Sequence, residues 1–216
     1  MLALTWSRRL PSAMARRVWA PGLLYGAGAR LEVTGLEGID FGRPCCFTAN
    51  HQSIIDIPAV FAALPTDLYF IVKRELKSVP FLGWYVAAMG MIFVDRRERV
   101  GAIATMRHAA ALIRGGRSVL SFPEGTRSRG DEVGPFKSGV FLAAIEAGVP
   151  VVPVAIDGAA AVLRPGTFRV RPGTIRIALG RPIPTAGLDV AARAALAGEA
   201  RAAIVALRRA RREAEG

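Results

Sequence analysis

The chain has 216 residues, enough for one sizeable domain with a buried core. It is 52% hydrophobic with a mean hydropathy of +0.33, which excludes intrinsic disorder. The formal net charge is +12, and because only Lys73, Lys77 and Lys137 are lysines it rests on arginine; an anionic membrane face or a nucleic acid are the partners such a charge suits.

Residues 1–30 carry Arg8, Arg9, Arg16, Arg17 and Arg30 and no acidic residue, interleaved with Leu2, Trp6, Leu10, Trp19, Leu23, Leu24 and Tyr25. This mixture predicts helical pieces lying in a membrane interface, broken or bent at Pro11 and Pro21. An ordinary helix packed on the domain is the competing reading. The uncharged run Val18–Ala29 has 12 residues, short of the roughly 20 a span needs. Ser78–Val94 is uncharged for 17 residues but holds Pro80, Gly83 and Gly90, so it reads as a buried helix running into a core strand. Residues 1–17 have no long apolar stretch and are not read as a signal peptide.

From Leu31 the pattern alternates between strands and helices. Strands are expected at Leu31–Thr34, Pro44–Ala49, Leu68–Val72, Met91–Val94, Arg117–Ser121 and Val151–Ile156. Helices are expected at Ile55–Leu64, Phe81–Met89, Val100–Arg114 and Ser138–Ala147, the last two closed by Gly115-Gly116 and by Gly148. Phe168–Val170 and Thr174–Leu179 flank Arg171-Pro172-Gly173 and suggest a hairpin, and Val190–Arg212 reads as a long basic helix. The fold class is therefore α/β: a single-domain sandwich with a mixed central sheet flanked by helices. The interface segment occupies residues 1–30 and the globular domain residues 31–216. Cys45 and Cys46 are neighbours that a strand points to opposite faces, so they read as two small buried residues, not as a disulfide. No zinc-type spacing is present, and no metal is expected.

Two histidines narrow the search for chemistry. His51 lies in Asn50-His51-Gln52-Ser53-Ile54-Ile55-Asp56, between an expected strand and an expected helix. Strand ends are where α/β proteins place reactive groups. In such a turn the Asp56 carboxylate can fold back on the imidazole, fix its tautomer and leave the other nitrogen as a base. No G-x-S-x-G elbow supplies a nucleophile, so the simplest inference is that the nucleophile is a substrate alcohol. Capping roles for Asn50 and Asp56, with His51 a satisfied loop residue, are the plain alternative. His108, on a helix beside Arg107, reads as structural.

Phe122-Pro123-Glu124-Gly125-Thr126-Arg127-Ser128-Arg129 also follows a strand. Gly125 would open the backbone, Thr126 would offer a hydroxyl and Arg127 a two-pronged donor, together a reasonable phosphate cradle. It is not a P-loop, because Asp131 stands where lysine is required. Lys73, Arg74, Arg96 and Arg97 follow other strands and Lys137 precedes a helix; suitable strand order would bring such cations near His51.

With these residues in view, the chain resembles the glycerophospholipid acyltransferase family, and within it the 1-acyl-glycerol-3-phosphate acyltransferases. The resemblance rests on four ordered blocks: N-H-x4-D at Asn50 to Asp56, Gly90-Met91-Ile92-Phe93-Val94-Asp95-Arg96, Phe122 to Ser128 read as F-P-E-G-T-R-S, and Val149-Pro150-Val151-Val152-Pro153-Val154. It implies His51 as general base and Asp56 as its orienter. It implies acceptor phosphate binding by Lys73, Arg96, Glu124, Gly125, Thr126 and Arg127. It implies direct attack of the 2-hydroxyl of a 1-acyl-glycerol-3-phosphate on an acyl thioester, giving phosphatidic acid, with acyl-CoA or acyl-carrier protein as co-substrate and no cofactor. Membrane lipids are the implied partners, at the cytoplasmic face of the inner membrane, with peripheral or monotopic attachment to its anionic leaflet. The same catalytic pair serves acyltransferases for other lysolipids, such as lyso-ornithine lipid. A non-catalytic membrane-binding protein is a more distant reading, and no nucleic-acid motif supports nucleic acid as the partner.

Overall fold

The computed structural model describes residues 9–78, 82–94, 99–128, 132–167 and 169–215. Its centre is a seven-stranded sheet in the order β1-β7-β6-β2-β5-β3-β4. The strands are β1 (Ala29–Thr34), β2 (Cys46–Ala49), β3 (Leu68–Lys73), β4 (Ile92–Val94), β5 (Ser118–Ser121), β6 (Val151–Asp157) and β7 (Gly173–Leu179). From β6 through β2, β5 and β3 to β4 every pairing is parallel. β7 runs antiparallel to β6 and carries β1 parallel to itself, which makes the sheet mixed, as expected. Five parallel strands therefore end on one edge, and three of their C-terminal ends, at Ala49, Ser121 and Lys73, sit side by side.

Both faces of the sheet are covered, which is why β2, β5 and most of β6 are buried at every position instead of alternating. One face packs against α3 (Asp56–Ala63) and the N-terminal helix through Phe47, Val60, Leu68, Val154 and Ile177. The other packs against α5 (Arg99–Arg114), α6 (Gly139–Ala147) and α8 (Arg193–Glu215) through Val119, Phe141, Val151 and Ala200. Cys45 belongs to the first core and Cys46 to the second, and both are free and buried. Two short helices, α4 (Leu82–Ala88) and α7 (Ala159–Val162), complete the set; α7 was not foreseen in the sequence.

Two expectations are corrected. The segment Thr174–Leu179 is not one arm of a hairpin with residues 168–170. Val170 bridges Leu163, Phe168 lies outside the described residues, and β7 is inserted between β1 and β6. The inward residues Ile175, Ile177 and Leu179 are almost wholly buried there, and a central sheet position satisfies them where a short hairpin could not. The prolines also do not break the N-terminal helix. α1 (Arg9–Met14) passes through a π turn (Ala15–Trp19) into α2 (Ala20–Gly26). Pro21 has no N–H to donate, and in a regular helix its ring would press on the carbonyl four residues back. The wider turn ahead of it, in which the Ala20 N–H donates to Ala15 O, removes that conflict.

The N-terminal helix buries Ser12, Ala15, Ala20 and Leu24. The step of five residues from Ala15 to Ala20 is the one the π turn spans, so the buried face stays in line. Trp19 meets Phe61 of α3 edge-on at 6.0 Å, and the Ser12 hydroxyl donates to Asp67 Oδ1 at 2.8 Å. Met14, Val18, Leu23 and Tyr25 are exposed, Tyr25 at 90%. Among the described residues no helix is long and apolar enough to cross a membrane.

Asn50 extends β2 past its last paired residue by side-chain chemistry. Its Nδ2 donates to Ile156 O at 2.9 Å and its Oδ1 accepts from Ile156 N at 2.8 Å. Asn50→Ala would strand both Ile156 groups in the interior. The expected loss is about 2–4 kcal/mol of stability, read as a lower denaturant midpoint at unchanged m-value.

Candidate active site

The sheet edge places the candidate residues. The turn after β2 carries His51, and Asp56 opens α3. Asp56 is fully buried. Its Oδ2 lies 2.8 Å from His51 Nδ1 and accepts from the backbone N–H groups of Gln52, at 2.6 Å, and Ser53, at 2.8 Å. With two amides already donating to that oxygen, Nδ1 is the protonated nitrogen of His51 and Nε2 carries the free lone pair. Burial raises the Asp56 pKa above the ordinary carboxylate range, and the bonds to His51, Ser53 and Gln52 oppose that rise. The His51 side chain is 17% exposed, so the base remains reachable. Its ring stacks on Phe122 at a centroid distance of 4.1 Å and 19° between planes, which fixes its tilt.

No hydroxyl or thiol among the described residues bonds to the His51 ring. Ser53 Oγ donates to Leu163 O at 2.5 Å. Ser128 Oγ contacts Glu124 Oε2 and the backbone oxygen of His51. Both neighbouring serines are thus committed elsewhere, and the open nitrogen faces whatever a substrate brings.

The turn after β5 closes through Gly125 N–H donating to Phe122 O at 3.0 Å. Pro123 and Gly125 occupy the second and fourth positions such a turn favours, and Gly125 has φ +76°. Thr126 and Arg127 are exposed beside the site. The next residue holds the loops together: Ser128 N–H donates to His51 O at 2.7 Å. β3, ending at Lys73, lies beside β5, so the strand order sets that strand end along the same edge as His51. Arg96 itself lies outside the described residues. His108 is exposed on α5.

Glu124 differs from its expected surroundings. It is buried at 8% exposure and both carboxylate oxygens are bound within the protein. Oε1 accepts from His51 N–H at 2.8 Å; Oε2 accepts from Ser128 Oγ at 2.8 Å and Gly134 N–H at 2.9 Å. In this geometry the carboxylate staples the His51 turn to the 122–128 turn and to residue 134. The sequence offered no sign of this, since His51 lies 73 residues away. Asn50 is a second residue whose role the sequence concealed, for the same reason.

A carboxylate-oriented imidazole, with no nucleophile on its ring and an arginine-bearing turn alongside, can take a proton from an alcohol held by its phosphate. That chemistry defines a group-transfer site in which a substrate hydroxyl attacks. Comparison with known proteins gives this class its family. The family model described as Acyltransferase matches residues 30–157, and the chain belongs to that family. It is 32% identical over 169 residues to a chloroplastic 1-acyl-sn-glycerol-3-phosphate acyltransferase of Brassica napus, covering 77% of this chain and 48% of the relative. It is 32% identical over 168 residues to the human 1-acyl-sn-glycerol-3-phosphate acyltransferase beta, covering 77% of this chain and 60% of the relative. The chain thus spans about half to three-fifths of the length of these relatives. The crystal structure of the 1-acyl-sn-glycerophosphate acyltransferase PlsC from Thermotoga maritima superposes with a TM-score of 0.78 at 27% identity, covering 93% of this chain and 81% of that one.

The buried carboxylate yields a prediction with a sign. Because its pKa is raised by folding, the native state holds the Asp56 proton more tightly than the unfolded chain does. The associated stability is full below the unfolded value and is lost as pH rises through the folded one. Asp56→Asn should flatten that part of the stability–pH curve in thermal melts. At neutral pH it should leave the melting temperature near wild type or above it while turnover falls by about 10³-fold or more, since the imidazole loses its orienting acceptor.

Proposed function

We propose that the chain transfers a fatty acyl group from an acyl thioester to the 2-hydroxyl of 1-acyl-glycerol-3-phosphate, giving phosphatidic acid. The observation that carries this reading is the His51–Asp56 pair at 2.8 Å with no protein nucleophile on the ring, beside an exposed arginine turn. The names of the relatives point to the same acceptor. The acceptor phosphate rests on Arg127, with Gly125 and Thr126 in its turn and Lys73 and Arg96 from the neighbouring strand ends. Its 2-hydroxyl reaches His51 Nε2. The hydroxyl oxygen attacks the thioester carbonyl, His51 takes the proton, and the carbon–sulfur bond breaks to release a thiolate that recovers the proton. Asp56 stabilises the imidazolium formed in between. Both substrates are held together, and no acyl-enzyme forms.

The helix of residues 9–26 supplies the lipid contact in this proposal. Its outward apolar side chains and Arg17 fit a bilayer interface, and the overall positive charge favours an anionic leaflet. Acylation of another lysolipid uses the same dyad and is separated from the main proposal by the acceptor alone.

Purified protein should acylate lysophosphatidic acid with oleoyl-CoA or an acyl-carrier-protein thioester in preference to other lysolipids. His51→Ala should lose about 10²–10⁴ of the rate while remaining folded. Arg127→Ala should mainly raise KM for the lysolipid. Near-normal turnover by His51→Ala would remove the mechanism; product from a different lysolipid only would change the acceptor and keep the dyad.

A further inference from the structure

The stretch ahead of α6 is gripped from α8, in the helix layer on the far side of the sheet from α3. Arg201 of α8 donates from Nη2 to Val133 O at 2.6 Å and from Nε to Gly134 O at 2.9 Å. Nε also lies 3.2 Å from Val133 O. One guanidinium thus spans two consecutive carbonyls, which suits its planar fork of donors. α8 is firmly seated there: Ala200 and Ile204 are wholly buried, and Ile204 packs with Val133. Arg201 lies beyond the segment matched by the family model and belongs to none of the four sequence blocks.

What Arg201 holds is the peptide that meets Glu124. The carbonyl of Val133 and the N–H of Gly134 belong to one peptide unit. Its oxygen accepts from the guanidinium, and its N–H donates to Glu124 Oε2 at 2.9 Å. The other carboxylate oxygen accepts from His51 N–H at 2.8 Å. A cation on the oxygen of an amide polarises it and strengthens the bond its N–H makes to an anion. A Cβ at residue 134 would stand 3.0 Å from Glu124 Oε2, so the glycine lets the carboxylate lie close against this peptide. Glu124 is 8% exposed, and the groups bonded to it, two backbone amides and the Ser128 hydroxyl, are neutral. Positive charge reaches it from Arg201 through one peptide.

We propose that Arg201 is a positioning residue for the base. It acts through the 133–134 peptide and Glu124 on the His51 amide, and so sets where the imidazole stands at the sheet edge. Asp56 fixes the tautomer of the ring; Arg201 fixes the backbone that carries it. The kinetic consequence rests on the acyl-transfer reading above. The base must meet a hydroxyl that the acceptor's phosphate holds independently, and a misplacement of about 1 Å costs about 10²-fold in rate. The turn that carries Arg127 keeps its own closure, Gly125 N–H to Phe122 O, and its bond from Ser128 N–H to His51 O. Loss of Arg201 therefore falls on turnover and spares substrate binding.

The test uses the full chain as wild type, Arg201→Ala, Arg201→Lys, Glu124→Gln, the double variant Arg201→Ala/Glu124→Gln, and Arg209→Ala, an α8 control that loses an exposed pair with Glu213. Initial rates with oleoyl-CoA and lysophosphatidic acid give kcat and both KM values. Proton–nitrogen NMR of isotope-labelled protein follows the His51 backbone amide. Arg201→Ala should lower kcat about tenfold to a hundredfold with each KM within about twofold of wild type. Its His51 amide resonance should move upfield as the bond to Glu124 weakens. Arg201→Lys keeps the charge without the fork and should regain part of the lost kcat. The double variant should be no slower than Glu124→Gln alone, because both residues act along one chain of contacts. Arg209→Ala should match wild type throughout. Should Arg201→Ala fail to fold, Arg201→Lys with and without Glu124→Gln makes the same comparison. An unmoved His51 amide, a rise in KM at constant kcat, or losses that multiply in the double variant would overturn the proposal. A shifted amide, with no acyl transfer by wild type to any lysolipid from either thioester donor, would leave the positioning role standing and remove the acyl-transfer reading.

Discussion

The site depends on a carboxylate being buried where water cannot reach it. A fully enclosed Asp56 is tolerable only because Gln52 N–H, Ser53 N–H and His51 Nδ1 converge on one of its oxygens. Those bonds shape the chain as well as the charge. They require residues 51–53 to curl over the start of α3, and that curl throws the His51 ring outward to the sheet edge. Orientation of the base and the path of the backbone are set by the same atoms, so neither can be altered alone.

A second carboxylate secures what the first arranges. Glu124 holds the His51 amide from the neighbouring turn, and Ser128 returns a bond to the His51 carbonyl. The turn is thus gripped at both backbone groups of one residue by a segment 73 to 77 residues distant. Asn50 anchors its other end to β6. Two acidic residues of the sequence blocks divide the work: Asp56 addresses the ring with the Gln52 and Ser53 amides, and Glu124 the His51 amide. Phe122 closes the arrangement by covering one face of the imidazole, and it continues through Phe70 and Phe61 to Trp19, a row of aromatic contacts from the base to the N-terminal helix.

Much of this was readable in the residues. The buried strands announce themselves as apolar runs rich in β-branched and aromatic residues, Val151–Ile156 among them, and helix ends near Gly116 and Gly148 follow from the need for a residue that accepts a left-handed turn. The His51–Asp56 pairing was legible because a turn brings residues five apart together. Long-range partnership was not. The position of β7 depends on which strand has room beside it, and local pattern carries no such information, so a hairpin looked reasonable. Glu124 sits inside a polar, glycine-containing stretch that reads equally well as a ligand cradle, and only its distant amide partners assign it.

The π turn at Ala15–Trp19 has a consequence for how the N-terminal segment can change. A π turn holds one residue more than an α turn would, and here that surplus keeps Ser12 and Ala15 in phase with Ala20 and Leu24. Removing any one residue from it would take out that surplus, bring the Pro21 ring back against the carbonyl before it and swing everything ahead of it by about 100°. Ser12 would turn away from Asp67, and whatever leads into Arg9 would emerge in a new direction. At this place a single-residue deletion acts as a rotation, leaving the catalytic domain intact while redirecting the helix that precedes it.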